Sequence, residues 1–136
     1  MTEEVKRNYL EIHSLEDLKE GGKPSEGYSL SLIDPINFQL NKFFYKSIGK
    51  NHKWIDRLSW SEEKWINYVS SKNVQSYVLK INYDLVGFFE LIFHPKKNET
   101  EIAYFGILEE YRNQKLGSYL LAEAIKKSFK NNVNRV

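Results

Sequence analysis

"EIAYFGILEEYRNQKLGSYLLAEAIKKSF", residues 101–129, holds two periodicities in one run. The opening "EIAYFGIL" reads as a strand, whereas Leu116, Leu120, Leu121, Ala124, Ile125 and Phe129 recur as one face of a helix ending near Asn131-Asn132. Between them lies a polar, basic loop with no glycine before Gly117. A strand feeding a helix through a short loop gathers unpaired N–H groups and the positive end of the helix dipole at one point, where an anion such as phosphate binds. The alternative is an ordinary loop before a surface helix, with Gly117 a permissive first-turn residue, Gly106 a strand bulge or packing site and Arg112 merely exposed.

Upstream, "VQSYVLKI" and "LVGFFELIF" flank the turn Asn82-Tyr83-Asp84 and predict an antiparallel hairpin, with "HPKKNET" as the next reversal. Residues 4–12 predict a first strand, and "YSLSLI" (28–33) alternates as a second. Asp34-Pro35 signals a helix start, Ile36, Leu40, Phe43, Phe44 and Ile48 follow at helical spacing, and Gly49 suits its stop. Ser59 and Glu62 have capping-box spacing before a short helix carrying Trp65, Ile66 and Val69. The final "NRV" looks like the opening of another strand. Residues 1–136 therefore predict a single α+β (mixed α/β) domain, a mainly antiparallel central sheet with helices on both faces.

At 136 residues, 41% of them hydrophobic and 28% charged, the chain has the composition of a globular protein. The net charge of +2 is dispersed and leaves no nucleic-acid footprint. No cysteine is present, which rules out disulfides and thiolate chemistry and suits a reducing compartment, the cytoplasm. No apolar run approaches the roughly 20 residues of a membrane span. His13, His52 and His94 lack ligand spacing, so no metal is expected.

The same run resembles the acetyl-CoA-binding segment of GNAT-type N-acetyltransferases, whose pattern is Gln or Arg, two residues, Gly, one residue, then Gly or Ala. Arg112 fits the first position and Gly117 the last, while Lys115 takes the middle glycine's place. With "FFYKSIG", "WIDRLSWSEEKW" and "GFFEL", the likeness to a bacterial branch of small GNAT enzymes extends over about residues 28–136. It implies acetyl-CoA as cosubstrate. Phe105, Gly106 and Ile107 would present backbone groups to the pantetheine arm, and the segment Arg112, Asn113, Gln114, Lys115, Leu116, Gly117 and Ser118 would hold the coenzyme, with the amides of 114–118 on the pyrophosphate. The family's closing strand, helix and strand, which carry its tyrosine acid, lie beyond this sequence, so the expectation is a C-terminally incomplete domain that aggregates or forms a homodimer through exposed apolar surface and an unpaired edge.

Acetyl transfer by direct attack needs a neutral amine, so a carboxylate must remove its proton. Glu101 resembles the general base of histone-acetylating relatives, and Glu90, among large hydrophobes in "GFFELIF", is the second candidate. The plainer alternatives are a wet strand end for Glu101 and a basic partner for Glu90. Tyr104, Tyr111 and Tyr119 are not separated by spacing as the acid. Trp54, Trp60 and Trp65 with Asp56 and Arg57 would either cradle the acceptor amine or form core between two helices. The competing function is a non-catalytic CoA-binding or interaction module.

Overall fold

Val86, Phe88, Phe89, Glu90 and Leu91 are buried one after another, so the strand that carries them is covered on both faces. In the computed structural model, which describes residues 10–18, 27–34, 36–52, 54–112, 116–130 and 133–136, this is the third of four antiparallel strands. They are β1 (Tyr28–Leu32), β2 (Val74–Ile81), β3 (Asp84–His94) and β4 (Glu99–Ile107), paired in chain order. Helices α1 (Phe38–His52) and α2 (Glu62–Val69) join β1 to β2, and α3 (Leu116–Phe129) follows β4.

Strand alternation divides the core into two layers. Leu79, Phe89, Leu91 and Ile107 pack with Leu116, Leu120 and Ala124 of α3. Val78 and Phe88 pack with Phe44 and Ile48 of α1, where the Phe44 and Phe88 rings stack at 4.8 Å. Helices therefore cover both faces of the sheet.

Local details depart from the sequence reading where tertiary contacts intervene. Helix α1 starts after Asn37, not at Asp34-Pro35, because Ile33 is still held to the sheet by donating to the Ser76 carbonyl at 2.8 Å. Asn37 Oδ1 then accepts from the Leu40 N–H at 3.4 Å. Gly49 does not stop the helix. A Cβ there would come within 2.8 Å of the Trp54 Cβ, so the glycine admits Trp54 against the helix end. Ser61, not Ser59, caps α2 by accepting from the Lys64 N–H at 3.2 Å, since residues up to Trp60 are committed to a turn closed by Trp60 N–H to Arg57 O at 3.0 Å.

Most of the expected first strand, residues 4–9, lies outside the described residues, as do Pro35 and Asn131-Asn132. Ile12 exchanges two backbone hydrogen bonds with Val136, at 3.0 and 2.9 Å. The strand opening read at "NRV" is present as a parallel bridge between Arg135 and Glu99. Arg135 also bonds Glu11 and Glu99 side chains, each at 2.7 Å.

Candidate active site at the open edge of β4

Strand β4 is the last in the sheet order, and among the described residues nothing pairs with its outer side beyond the bridge at Glu99. The Leu108 N–H donates to the Val86 carbonyl at 2.8 Å, and the register places Phe88 opposite Gly106 and Glu90 opposite Tyr104. By the alternation of an antiparallel ladder, the backbone groups of Tyr104 and Gly106 then face β3, and those of Phe105 and Ile107 face outward. Consistent with this, the Ile107 carbonyl accepts from Arg112 Nε at 3.3 Å. Gly106 contributes space instead: a Cβ there would lie 2.7 Å from Ile48 Cγ2, so α1 packs directly on the strand at this point.

A bulge alters which side chains share a face. Glu90 faces Tyr104 but Leu91 faces Ile102, leaving Ala103 as the extra residue. Glu101 lies opposite Ile92. Because Glu90 and Ile92 are two apart on β3, Tyr104 and Glu101 come to one face about 7 Å apart along the strand, although three residues separate them in the chain. Glu101 is exposed, with its Oε1 3.0 Å from His94 Nε2. The Tyr104 hydroxyl donates to Asp56 Oδ2 at 3.4 Å. Burial first, with Tyr45 and Asp56 adding to it, pushes the Tyr104 hydroxyl up to about 12 against a weaker pull from Arg57.

Glu90 sits at the centre of a closed network. Its side chain is fully buried; Oε1 accepts from Arg57 Nη1 and the Tyr68 hydroxyl, both at 2.8 Å, and Oε2 accepts from Asn41 Nδ2 at 3.0 Å. Asn41 Nδ2 also donates to Ser76 Oγ at 2.8 Å. Five rings surround the Arg57 guanidinium carbon, from Tyr68 at 4.2 Å and Tyr104 at 4.4 Å through Trp60 and Trp65 to Tyr45 at 5.7 Å. The aromatic cluster thus encloses the protein's own cation. Burial works against the charge of Arg57, yet Glu90 and Tyr68 outweigh it and hold the guanidinium above its ordinary value. Burial, then the charge of Glu90, drives the Tyr68 hydroxyl well above the usual tyrosine range. One sequence signal pointed here: Asn41 lies on the face of α1 that carries Phe44 and Ile48, a polar residue in an apolar stripe.

After β4, a single 3₁₀ turn (Glu109–Tyr111) leads to Arg112. Asn113, Gln114 and Lys115 lie outside the described residues. At the start of α3, Leu116 is buried in the core and Ser118 is exposed. Apart from its chain neighbours and the backbone of its own helix, no heavy atom of the described residues comes within 4 Å of where a Gly117 Cβ would stand, and its φ is not positive. Neither packing nor backbone conformation therefore requires a glycine there. Among the described residues no His, Asp or Glu cluster could hold a metal ion, and no helix is long and apolar enough to cross a membrane.

Sheet, bulged edge strand and following helix together define a GNAT-like α+β fold. The model of the acetyltransferase (GNAT) family matches residues 37–136, and the chain belongs to that family. Its fold is similar to a GCN5-related N-acetyltransferase from Kribbella flavida (TM-score 0.62, 16% identity), covering 92% of this chain and 44% of that one. It is also similar to the ribosomal-protein-S18-alanine N-acetyltransferase from Escherichia coli (TM-score 0.57, 16% identity, 78% of this chain and 62% of that one). A GNAT-family acetyltransferase from Staphylococcus aureus Mu50 gives a TM-score of 0.62 at 20% identity, over 78% of this chain and 68% of the other. The chain thus spans less than half of the first structure and under two thirds of the second. No protein of curated function matches the sequence.

Proposed function

We propose that this domain transfers an acetyl group from acetyl-CoA to an amine by direct attack. The observation that carries the reading is the outer side of β4, unpaired among the described residues beyond the bridge at Glu99, where the backbone of Phe105 and Ile107 faces outward and a 3₁₀ turn follows the strand ahead of α3. An extended pantetheine arm carries amide groups, and an unpaired strand edge is the surface that can bond them as a further strand would. The start of α3 supplies N–H groups and a positive dipole end for the pyrophosphate, with Arg112, Asn113, Gln114, Lys115, Leu116, Gly117 and Ser118 as the segment that holds it. A glycine that no side chain packs against among the described residues fits close approach of a ligand to the helix start.

In the reaction the amine nitrogen forms a bond to the thioester carbonyl carbon. The C–S bond then breaks, and CoA leaves as a thiolate that takes a proton. An outward N–H at Phe105 or Ile107 would polarise the carbonyl as negative charge develops on its oxygen. Of the two carboxylates, Glu101 suits the general base: it is exposed, whereas both Glu90 oxygens are occupied by Arg57, Tyr68 and Asn41. Glu90 then serves the site indirectly, anchoring Arg57 and the loop that bears Asp56.

Acetyl-CoA at a hundredfold excess over its dissociation constant is expected to stabilise the chain by about 2.7 kcal/mol in a thermal melt. No stabilisation by either acetyl-CoA or CoA would overturn the reading. A non-catalytic CoA-binding module is the second reading, favoured by Lys115 in the place of the family pattern's middle glycine. It predicts the same stabilisation without turnover on any amine. A homodimer paired on this edge of β4 would compete with the coenzyme for it.

A further inference from the structure

We infer that Lys127, in the last turn of α3, is a modification site whose ε-amine takes an acetyl group directly from an acyl thioester such as acetyl-CoA in solution. Charges at this end of the helix do not balance. Lys126, Lys127 and, just after the helix, Lys130 share it with one carboxylate of α3, Glu123. Glu123 Oε1 lies 3.5 Å from Lys126 Nζ, so the countercharge goes to Lys126. Lys127 instead has the Lys130 amine within hydrogen-bonding reach, one turn further along. An ammonium has three donors and no acceptor, so two of them side by side favour loss of a proton from one.

On its inner side Lys127 meets the sheet. Its Nζ is 5.9 Å from the centre of the Tyr77 ring, which stacks on Phe89 at 4.9 Å. The residue is half-buried there, which strips part of its hydration and leaves a route to solvent. At that distance the ring is at the outer limit of a cation–π contact and does little to hold the charge. Burial first, then Lys130, keeps the ammonium below the ordinary lysine value against a weaker pull from Glu123. Tyr77 adds no charge, because burial raises its own hydroxyl. The 3₁₀ turn Leu15–Asp17 also packs on α3, but its exposed Glu16 is not among the charges acting on Lys127. The helix dipole favours positive charge at all three lysines alike and does not decide between them.

Only the neutral amine attacks, and a lysine beside a second cation is the one activated for it. The Lys127 nitrogen forms a bond to the thioester carbonyl carbon, the C–S bond breaks, the thiolate leaves, and the proton shed by nitrogen passes to water. Tyr77 belongs to β2, two strands from β4, so this site and the coenzyme edge are separate.

The test incubates the full chain with acetyl-CoA and, in parallel, with S-acetyl-N-acetylcysteamine, a thioester that lacks the nucleotide. Fragment-ion mass spectrometry reads the initial acetylation rate at each lysine. At about pH 7 Lys127 should react at least about twofold faster than Lys126 with both thioesters, and the preference should narrow at about pH 10, where more of every amine is neutral. Lys130→Gln, at an exposed position, should slow Lys127 toward the rate of Lys126. Equal rates at neutral pH, a preference unchanged at alkaline pH as access alone would give, or a Lys130→Gln variant without effect would each overturn the inference. So would a preference seen with acetyl-CoA and not with the short thioester, which would place the transfer at bound coenzyme. Selective acetylation of Lys127 without stabilisation by CoA would sink only the coenzyme reading.

Discussion

Glu101 and Tyr104 stand on the same face of the sheet only because Ala103 bulges out of the ladder between β3 and β4. In a regular strand, residues three apart point to opposite faces. The bulge therefore places an exposed carboxylate beside a tyrosine that holds Asp56, at the open edge where the coenzyme is proposed to lie.

Replacing Glu101 with Gln should lower the acetylation rate about a hundredfold or more, the usual contribution of a positioned general base. Acetyl-CoA affinity should stay unchanged, because the side chain lies on a face and not on the outer backbone edge. Calorimetry with the coenzyme and a thiol-release assay separate the two effects. An undiminished rate would remove Glu101 from the mechanism.

Arg57→Met should destabilise the fold by about 3–5 kcal/mol, since it leaves the buried carboxylate of Glu90 without its countercharge. The double variant Arg57→Met/Glu90→Leu should lose less than the single one, because the uncompensated charge is gone. Urea unfolding of the three proteins gives the comparison. A single variant as stable as the parent would mean that the pair is not the anchor of the α1–α2 connection.

Gly117→Ala separates stability from binding. With open space around the position and no positive φ, alanine should raise stability by up to about 1 kcal/mol through its better helix propensity. The same change should weaken acetyl-CoA if the coenzyme approaches the helix start closely. Tighter or equal coenzyme binding would reduce Gly117 to a helix residue of no special use.

Alkaline pH should destabilise the protein through Tyr68 and Tyr104. Both hydroxyls titrate higher in the folded chain than in the unfolded one, where a tyrosine titrates near 10. The folded state therefore holds protons that the unfolded state releases, so the stabilisation is complete below about pH 10 and falls as pH climbs toward about 12 for Tyr104. Tyr104→Phe should flatten the decline in melting temperature across that window. An unchanged slope would show that the hydroxyl is not protected.

The parts of this fold that sequence reveals are those set by short-range periodicity. The 74–94 hairpin, β4 and α3 lie where alternation or helical spacing places them, and Asn82, at φ 54°, supplies the turn that its residue type suggests. What sequence conceals is set across distance. Thirty-three positions separate Arg57 from Glu90, and no local pattern marks them as partners. "EIAYFGI" reads as apolar through 102–105, which hides the bulge at Ala103, and Gly49 looks like a helix stop until Trp54 is seen to occupy the space beside it. A wet strand end for Glu101 and a basic partner for Glu90 were among the alternatives legible in the sequence, and both are what the structure shows, but no local pattern singled out Arg57 as that partner.

The reciprocal bonds between Ile12 and Val136 join residues at nearly the full span of the chain, and Arg135 reinforces them from Glu11 across to Glu99. During synthesis the hairpin and α1 can assemble as they emerge, but this clasp waits until residue 136 has cleared the ribosome. A nascent chain thus passes through a stage in which its sheet is built while Glu99, at the start of β4, is still unclasped.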